Sequence, residues 1–401
     1  MESGREAAVW KEIWPVVKER VFLLFQTSLA TGGVPSQWRN AKIIPLKKPN
    51  KADYRVAKAW RPISLLSTLG KALEAVVAER ISYAVEHHGL LPTNHFGARK
   101  KRSAEQALLL LQECIYDAWW KKRVLSLVSF DVKGAYNGVC KEHLLQRLAA
   151  RGIPTGLVRW IDAFCSNRTA TILVNGHCSE RKELQQAGLP QGSPLSPILF
   201  LFFNADLVQR KLDQNGGSIA FVDDYTAWVT GVSAQANRDG IQAIVDQATK
   251  WERRSGATFE GDKTVFVHFT RNRERIDPRP ITIKGEEVHP AARAKILGVV
   301  MDSELRYKEH LAKAATRGLN AAMALKRLGG LSPPAARRLF EATVVPVVDY
   351  ASSVWMHACG NTAMRTLNRV QKTGAQAITG CFSTVASAIA EAEASIPPIR
   401  K

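Results

Sequence analysis

The chain has 401 residues, 46% of them apolar, so it can bury a sizeable core and global disorder is excluded. Lys and Arg total 56 against 36 Asp and Glu, and the formal charge of +20 favours a polyanionic partner such as nucleic acid or an acidic membrane face. The charged start, MESGREAAVWKEIW, excludes a secretory signal, and the longest apolar runs, such as 198–203, fall far below the ~20 residues of a membrane span.

The six cysteines form no C-x-x-C pair and read as reduced thiols of a soluble intracellular chain with no membrane partner. Adjacent His177 and Cys178 have poor geometry for zinc.

Trp10, Ile13, Val17, Val21 and Leu24 recur at helical spacing and predict a helix over 6–30, with Pro15 kinking it or marking its first turn. Thr31-Gly-Gly breaks the chain, and residues 41–47 read as a short strand. Between Arg39 and Arg61 stand eight basic residues and one acid, Asp53, either a solvated loop or a phosphate-facing surface. A helix is predicted from Leu65 to Val85, ended by Gly89 and Pro92, and another from Ala104 to Trp120. VLSLVSF (124–130) is short, β-branched and uncharged, as a buried strand is. Helices follow at 142–151 and 155–166, and ATILVNG (170–176) opens a hairpin at Asn175-Gly176.

Ser196 to Leu212 is predicted helical, with Pro197 near its start, where proline is tolerated. SIAFVDDYTAWV (218–229) reads as strand, tight turn, strand; 234–255 as helix; TVFVHF (264–269) as strand. After about 305 strand signals fade, and eight Lys or Arg and two Glu lie between Arg306 and Glu341. The order predicts an α+β chain: a helical extension (1–30), a region with a central antiparallel sheet (31–304) and a helical remainder (305–401).

Three carboxylates carry the chemistry. Asp131 ends the apolar strand, and Asp223 and Asp224 follow the apolar IAFV. A carboxylate at the exit of a buried strand is costly unless solvated, paired or metal-bound. Mg²⁺ suits such a set, and two ions ~4 Å apart clamp the attacking and leaving oxygens of a phosphoryl displacement. Neighbours in a strand point to opposite faces, so Asp223 and Asp224 face one ion only at a turn. Asp223 is expected to share the metals with Asp131, and Asp224 to be the outer ligand. A polar hairpin turn is the plain alternative.

The wider pattern resembles the reverse transcriptases. FDVKGAY (130–136), GLPQGSPLSP (188–197) and FVDD (221–224) resemble that family's motifs A, B and C, in its order. GATFEGDKT (256–264) and KILGV (295–299) resemble motifs D and E. PSQWRNAKIIP (35–45), WRPISL (60–65) and FGARKKRS (96–103) are similar to the fingers motifs of non-LTR, LINE-like retrotransposon polymerases. FDVKGAYNGV is similar to elements of filamentous fungi. The resemblance covers about 30–380; any one box is weak, but seven or eight in order are specific.

The resemblance implies a right-hand fold: fingers at about 30–125 with 140–185, a palm sheet, and a thumb after 305. It implies an RNA-directed DNA polymerase extending a primer 3′-OH on an RNA template, with dNTPs and two Mg²⁺ ions, Mn²⁺ being a possible substitute. Asp131 and Asp223 would hold the metals, with Asp224 beside the primer end and the Val132 carbonyl completing one shell. Tyr136 matches the steric gate against a ribose 2′-OH. Gln191 would contact the incoming nucleotide. Arg61 matches the fingers arginine on the triphosphate, with Lys47 a second candidate. Lys263 matches a general acid toward pyrophosphate. Arg99, Lys100, Lys101 and Arg102 would meet the template backbone, and Leu297-Gly298 would grip the primer. Asn137 stands where many relatives carry aspartate.

The ~30 residues before the first fingers motif and the tail IPPIRK leave no room for a nuclease or RNase H domain, so the chain reads as a truncated piece of a longer element or a degenerate genomic copy. The resemblance implies action in the nucleus. A catalytically inactive nucleic-acid-binding remnant is the alternative, and an RNA-dependent RNA polymerase a weaker one.

Overall fold

The computed structural model describes residues 2–49, 51–209 and 215–399. Helix α1 (Glu2–Thr31) runs through Pro15 unbroken and stops before Gly32, whose φ is +71°. Strand β1 (Asn40–Lys47) pairs antiparallel with β2 (Trp60–Leu65). The helix predicted from Leu65 therefore starts later. Ile63 suits a strand and Pro62 is tolerated because β2 lies at the sheet edge, and the Ser67 hydroxyl accepts from the Gly70 amide to cap α2 (Thr68–His88). Gly89, at φ +64°, closes it. Helix α3 (Ala104–Trp120) opens with a reciprocal box between Ser103 and Gln106.

Strand β3 (Val124–Asp131) is buried along nearly its whole length. Then come α4 (Lys141–Ala150), α5 (Thr155–Cys165), β4 (Arg168–Val174), β5 (His177–Cys178) and β6 (Lys182–Leu184). Asn175 and Gly176 both have positive φ and make the predicted β4–β5 hairpin turn. Helix α6 (Ser196–Gln209) is apolar on every side and almost wholly buried; Leu212, expected in it, lies outside the described residues. Next are β7 (Gly216–Phe221), β8 (Asp224–Gly231), α7 (Arg238–Ser255) and β9 (Val265–Phe269). The short strands β10 (Ile281–Ile283), β11 (Glu286–Val288), β12 (Pro290–Ala291), β13 (Arg293–Ile296) and β14 (Val299–Asp302) precede an all-helical remainder. It comprises α8 (Lys308–Arg327), α9 (Pro333–Thr343), α10 (Val345–Val348), α11 (Ser352–Trp355), α12 (Asn361–Thr379) and α13 (Ser387–Glu393).

The central sheet has the order β12-β9-β3-β8-β7, antiparallel except where β12 runs with β9. A second sheet joins distant stretches of chain, with β1 between β2 and a parallel β4. The chain is thus α+β.

Alternation along β3 divides the interior. Val128 and Phe130 join one core with α2, α6 and α7, whereas Leu125 and Leu127 join another with α3 and the helices after 305. Helix α3, expected among the fingers, therefore backs the central sheet and anchors the C-terminal helices. Its Gln112 amide donates to Tyr307 Oη (2.8 Å) and to the Val354 carbonyl (2.7 Å). Among the described residues no helix is long and apolar enough to cross a membrane.

Candidate active site

Three acidic side chains meet at one end of the central sheet. Antiparallel pairing of β3 with β8 sets Asp131 directly opposite Asp224. Such partners share a face, with Cβ atoms about 5 Å apart. Phe221 pairs with Asp224, so Val222 and Asp223 form the two-residue turn between β7 and β8. Strand alternation thus does not separate Asp223 from Asp224. The Val132 amide donates to the Asp223 carbonyl at 3.4 Å, tying the turn to the end of β3.

The crowding has an electrostatic cost. Burial, then the Asp131 charge, holds the Asp223 carboxyl above the ordinary aspartate range. Burial, then Asp223 and Asp131, pushes Asp224 up to about 6. Asp224 keeps surface open to water, so screening by solvent moderates that rise. The Lys263 ammonium donates to Asp131 Oδ2 at 2.5 Å and also bonds Glu260. Burial opposes its charge, but these two hydrogen bonds outweigh that and hold it above the usual lysine range.

Two loops close around the acids. The Leu189 amide donates to the Tyr136 carbonyl at 2.7 Å. The Tyr136 ring packs edge-on against Phe200, centroids 5.7 Å apart. Burial, then the Asp223 charge, lifts its phenol to about 12, so the hydroxyl stays protonated beside that carboxylate. The Ser64 amide donates to the Gln191 carbonyl at 2.8 Å, which joins β2 to the 188–197 loop.

The family model for reverse transcriptase (RNA-dependent DNA polymerase) matches residues 46–301. The chain belongs to the reverse transcriptase family. It is 27% identical over 369 residues to the probable RNA-directed DNA polymerase from transposon X-element of Drosophila melanogaster, covering 90% of this chain and 40% of that protein. It is also 27% identical over 358 residues to the RNA-directed DNA polymerase from mobile element jockey of Drosophila funebris, covering 87% and 38%. This is therefore a LINE-like reverse transcriptase sequence that spans about two-fifths of the curated relatives it matches. Among solved structures, telomerase from Candida tropicalis with a fragment of telomeric RNA is 14% identical, with a TM-score of 0.46, covering 96% of this chain and 68% of that one.

The Arg61 side chain is exposed and has no hydrogen-bond or ion-pair partner among the described residues. Lys47 pairs in register with Trp60, and Leu46 with Arg61, so Lys47 and Arg61 lie on opposite faces of the β1–β2 ribbon. The Lys47 ammonium sits over the Tyr54 and Trp60 rings, 5.2 and 5.6 Å from their centroids.

The basic cluster divides. Arg99, expected at the template, is instead a buried structural residue. Its guanidinium binds both Glu86 carboxylate oxygens at 2.8 Å and donates to the Pro92 carbonyl at 2.7 Å. Arg102 is half-buried, donates to the Thr93 carbonyl and lies over the Phe96 ring. Lys100 pairs with Glu79 at the surface, and Lys101 is exposed. Arg99→Met is accordingly expected to lower the melting temperature and leave the salt slope of RNA binding unchanged. Lys101→Ala should instead cut that slope by about one unit, as a single phosphate contact does.

Gly298 sits in the β13–β14 turn with φ +88°, after Leu297 at +44°. Tyr350 Oη donates to the Leu297 carbonyl at 2.8 Å, so a C-terminal residue holds this hairpin.

Sequence reasoning missed the buried carboxylate of Glu74, which lies outside every motif. Glu74 on α2 accepts from the Ser193 hydroxyl at 2.5 Å, and Ser193 Oγ accepts in turn from the Leu195 amide. Burial holds the Glu74 carboxyl above the ordinary glutamate range, offset in part by Ser193 and Arg168. A folded-state pKa above the unfolded value gives stability that is full below the ordinary glutamate pKa and declines as pH rises through the folded one. Glu74→Gln, always neutral, should melt above the wild type at neutral pH and level with it near pH 4, about the ordinary glutamate value. Thermal melting across that range checks it.

Among the described residues no three acidic, histidine or cysteine side chains form a ready-made metal cage, these aspartates included. The donor chemistry nonetheless fits a hard divalent cation: carboxylate oxygens only, crowded, and two of them raised by burial and like charge.

Proposed function

We propose that this chain is an RNA-directed DNA polymerase that joins a primer 3′-OH to an incoming dNTP on an RNA template and releases pyrophosphate. One observation carries the reading: Asp131 faces Asp224 across the β3–β8 pair, with Asp223 in the adjoining turn and Tyr136 within its field. Asp131, Asp223, Asp224 and the Val132 carbonyl would hold two divalent ions, Mg²⁺ by the hard-oxygen donor set. Bound metal would neutralise charge on the transferring phosphoryl group and lower the pKa of the attacking hydroxyl.

The protein's own groups do the rest. Gln191, fixed through its carbonyl to β2, would meet the nucleotide's sugar or phosphate. Arg61, exposed on β2, would take the triphosphate with its planar fork. Lys263, held protonated, would serve as the proton donor to pyrophosphate. Lys100 and Lys101 would track the template, and the Gly298 turn the primer. On this reading the primer is chromosomal DNA and the compartment the nucleus.

Extension of oligo(dT) on poly(rA) with Mg²⁺ tests the proposal, and EDTA should abolish it. Salt-sensitive RNA binding without extension would instead indicate the inactive remnant. Tyr136→Ala is expected to admit ribonucleotides, lowering the dNTP/rNTP preference by about 10²-fold, or roughly 3 kcal/mol of lost steric exclusion. Competitive incorporation assays read the ratio, and an unchanged preference would remove Tyr136 as the gate.

A further inference from the structure

The catalytic turn contains a backbone conformation that its residue does not favour. Val222 has φ +55°, and a β-branched side chain in the left-handed region is a strained outlier. Such strain persists only where surroundings over-determine it.

Two polar side chains supply that constraint, and neither belongs to a motif that carries the chemistry. Asn204 follows the apolar run 198–203 in α6 and is fully buried. Its Nδ2 donates to the Val222 carbonyl at 2.7 Å. Its Oδ1 lies 3.0 Å from Nε2 of His95, which has no exposed surface. The protons follow from the acceptors. A carbonyl only accepts, so the Asn204 nitrogen must face Val222 and its oxygen must face His95. His95 is therefore the neutral tautomer with its proton on Nε2, and burial depresses its pKa to about 4. Its Nδ1 is buried without a hydrogen-bond partner among the described residues, and the ring's one N–H goes to Asn204.

The segment around His95 adds a backbone brace. The Phe96 amide donates to the Ala220 carbonyl at 2.8 Å, and the Ala220 amide to the Asn94 carbonyl at 3.0 Å. Gly97 lies so close that a Cβ there would stand 2.5 Å from the Val222 nitrogen.

We propose that His95 and Asn204 are positioning residues of the polymerase: a buried relay that pins the Val222 carbonyl and holds the turn so that Asp223 and Asp224 present their carboxylates toward Asp131. Neither touches substrate. The inference rests on the polymerase reading for its catalytic consequence but not for the clamp itself.

A double-mutant cycle tests both. His95→Leu keeps the bulk and removes the donor. Its expected effect is a kcat lowered about tenfold or more on poly(rA)/oligo(dT), with the dTTP KM changed less than about twofold. His95→Gln, which restores an N–H donor, should recover most of that loss. Glycine adopts positive φ freely, so in a Val222→Gly background the clamp has less strain to hold. There His95→Leu should cost less than about threefold in kcat, and its melting temperature penalty should shrink by about 2 °C. A residue that merely packs would lose equally in both backgrounds, and that result overturns the proposal, as does an unaltered kcat in His95→Leu. If His95→Leu does not fold, Asn204→Ala replaces it in the same cycle under the same criteria. An inert wild type would overturn the polymerase reading, while the melting cycle would still decide whether the relay holds Val222.

Discussion

Asp223→Asn is expected to cut primer extension by about 10³-fold or more while leaving the fold and salt-sensitive RNA binding intact. The size follows from what the carboxylate is asked to do. Metal-bound charge stabilisation supplies several kcal/mol to phosphoryl transfer, and about 4 kcal/mol corresponds to about 10³-fold in rate. The fold is expected to survive because Asp223 is a cost to it. Its carboxyl is held above the ordinary range by burial and by Asp131, so a neutral isostere relieves repulsion. Asp131→Asn should lose activity equally but behave differently in melting, since it also weakens the ion pair with Lys263. Single-turnover extension, melting and binding at two salt concentrations measure the three quantities separately. Extension in Asp223→Asn within about tenfold of wild type would remove the two-metal mechanism.

What could be read from the amino-acid order is uneven, for physical reasons. The uncharged run 124–130 became β3, and the acids at the ends of apolar segments came together, because each such placement is costly without a function. The helix expected from about Ala104 to Trp120 is α3, and the structure fixes its start through the reciprocal cap between Ser103 and Gln106. The strand β2 was missed because WRPISL carries a proline and no clear alternation, and its place is set by antiparallel pairing with β1 rather than by its own residues. The second core was also hidden. Nothing local in α3 says that its Gln112 will bond Tyr307 and Val354.

The basic cluster shows the limit of charge patterning. Arg99, Lys100, Lys101 and Arg102 are equivalent as a run of letters, yet Arg99 is buried against Glu86 and Lys101 faces water. Charge runs report net field, not which member is neutralised by a partner brought from elsewhere. Asn204 carried a signal: a buried amide directly after the apolar run 198–203 must find hydrogen-bond partners. His95 carried no such mark.

Gly192→Ala is expected to be the most damaging of the conservative substitutions, because it strikes the seam between β2 and the 188–197 loop twice. The residue sits at φ +146°, a region open essentially to glycine alone. A Cβ there would also lie 2.2 Å from the Ser64 carbonyl oxygen, and that atom is backbone in β2, not a side chain free to swing. The adjacent hydrogen bond, Ser64 amide to Gln191 carbonyl, is the link the methyl would prise open. Strain and overpacking together predict a loss of about 3 kcal/mol or more in stability. Where the fold survives, the dNTP KM should rise, since Gln191 moves with the seam. Gly89→Ala is the control: it also has positive φ, +64°, but a Cβ there meets nothing within 4 Å. It should cost about 1 kcal/mol and leave KM unchanged. Denaturant melts and steady-state kinetics on the pair separate backbone strain from the clash; equal behaviour of the two variants would mean that the seam is not held by the close approach at Gly192.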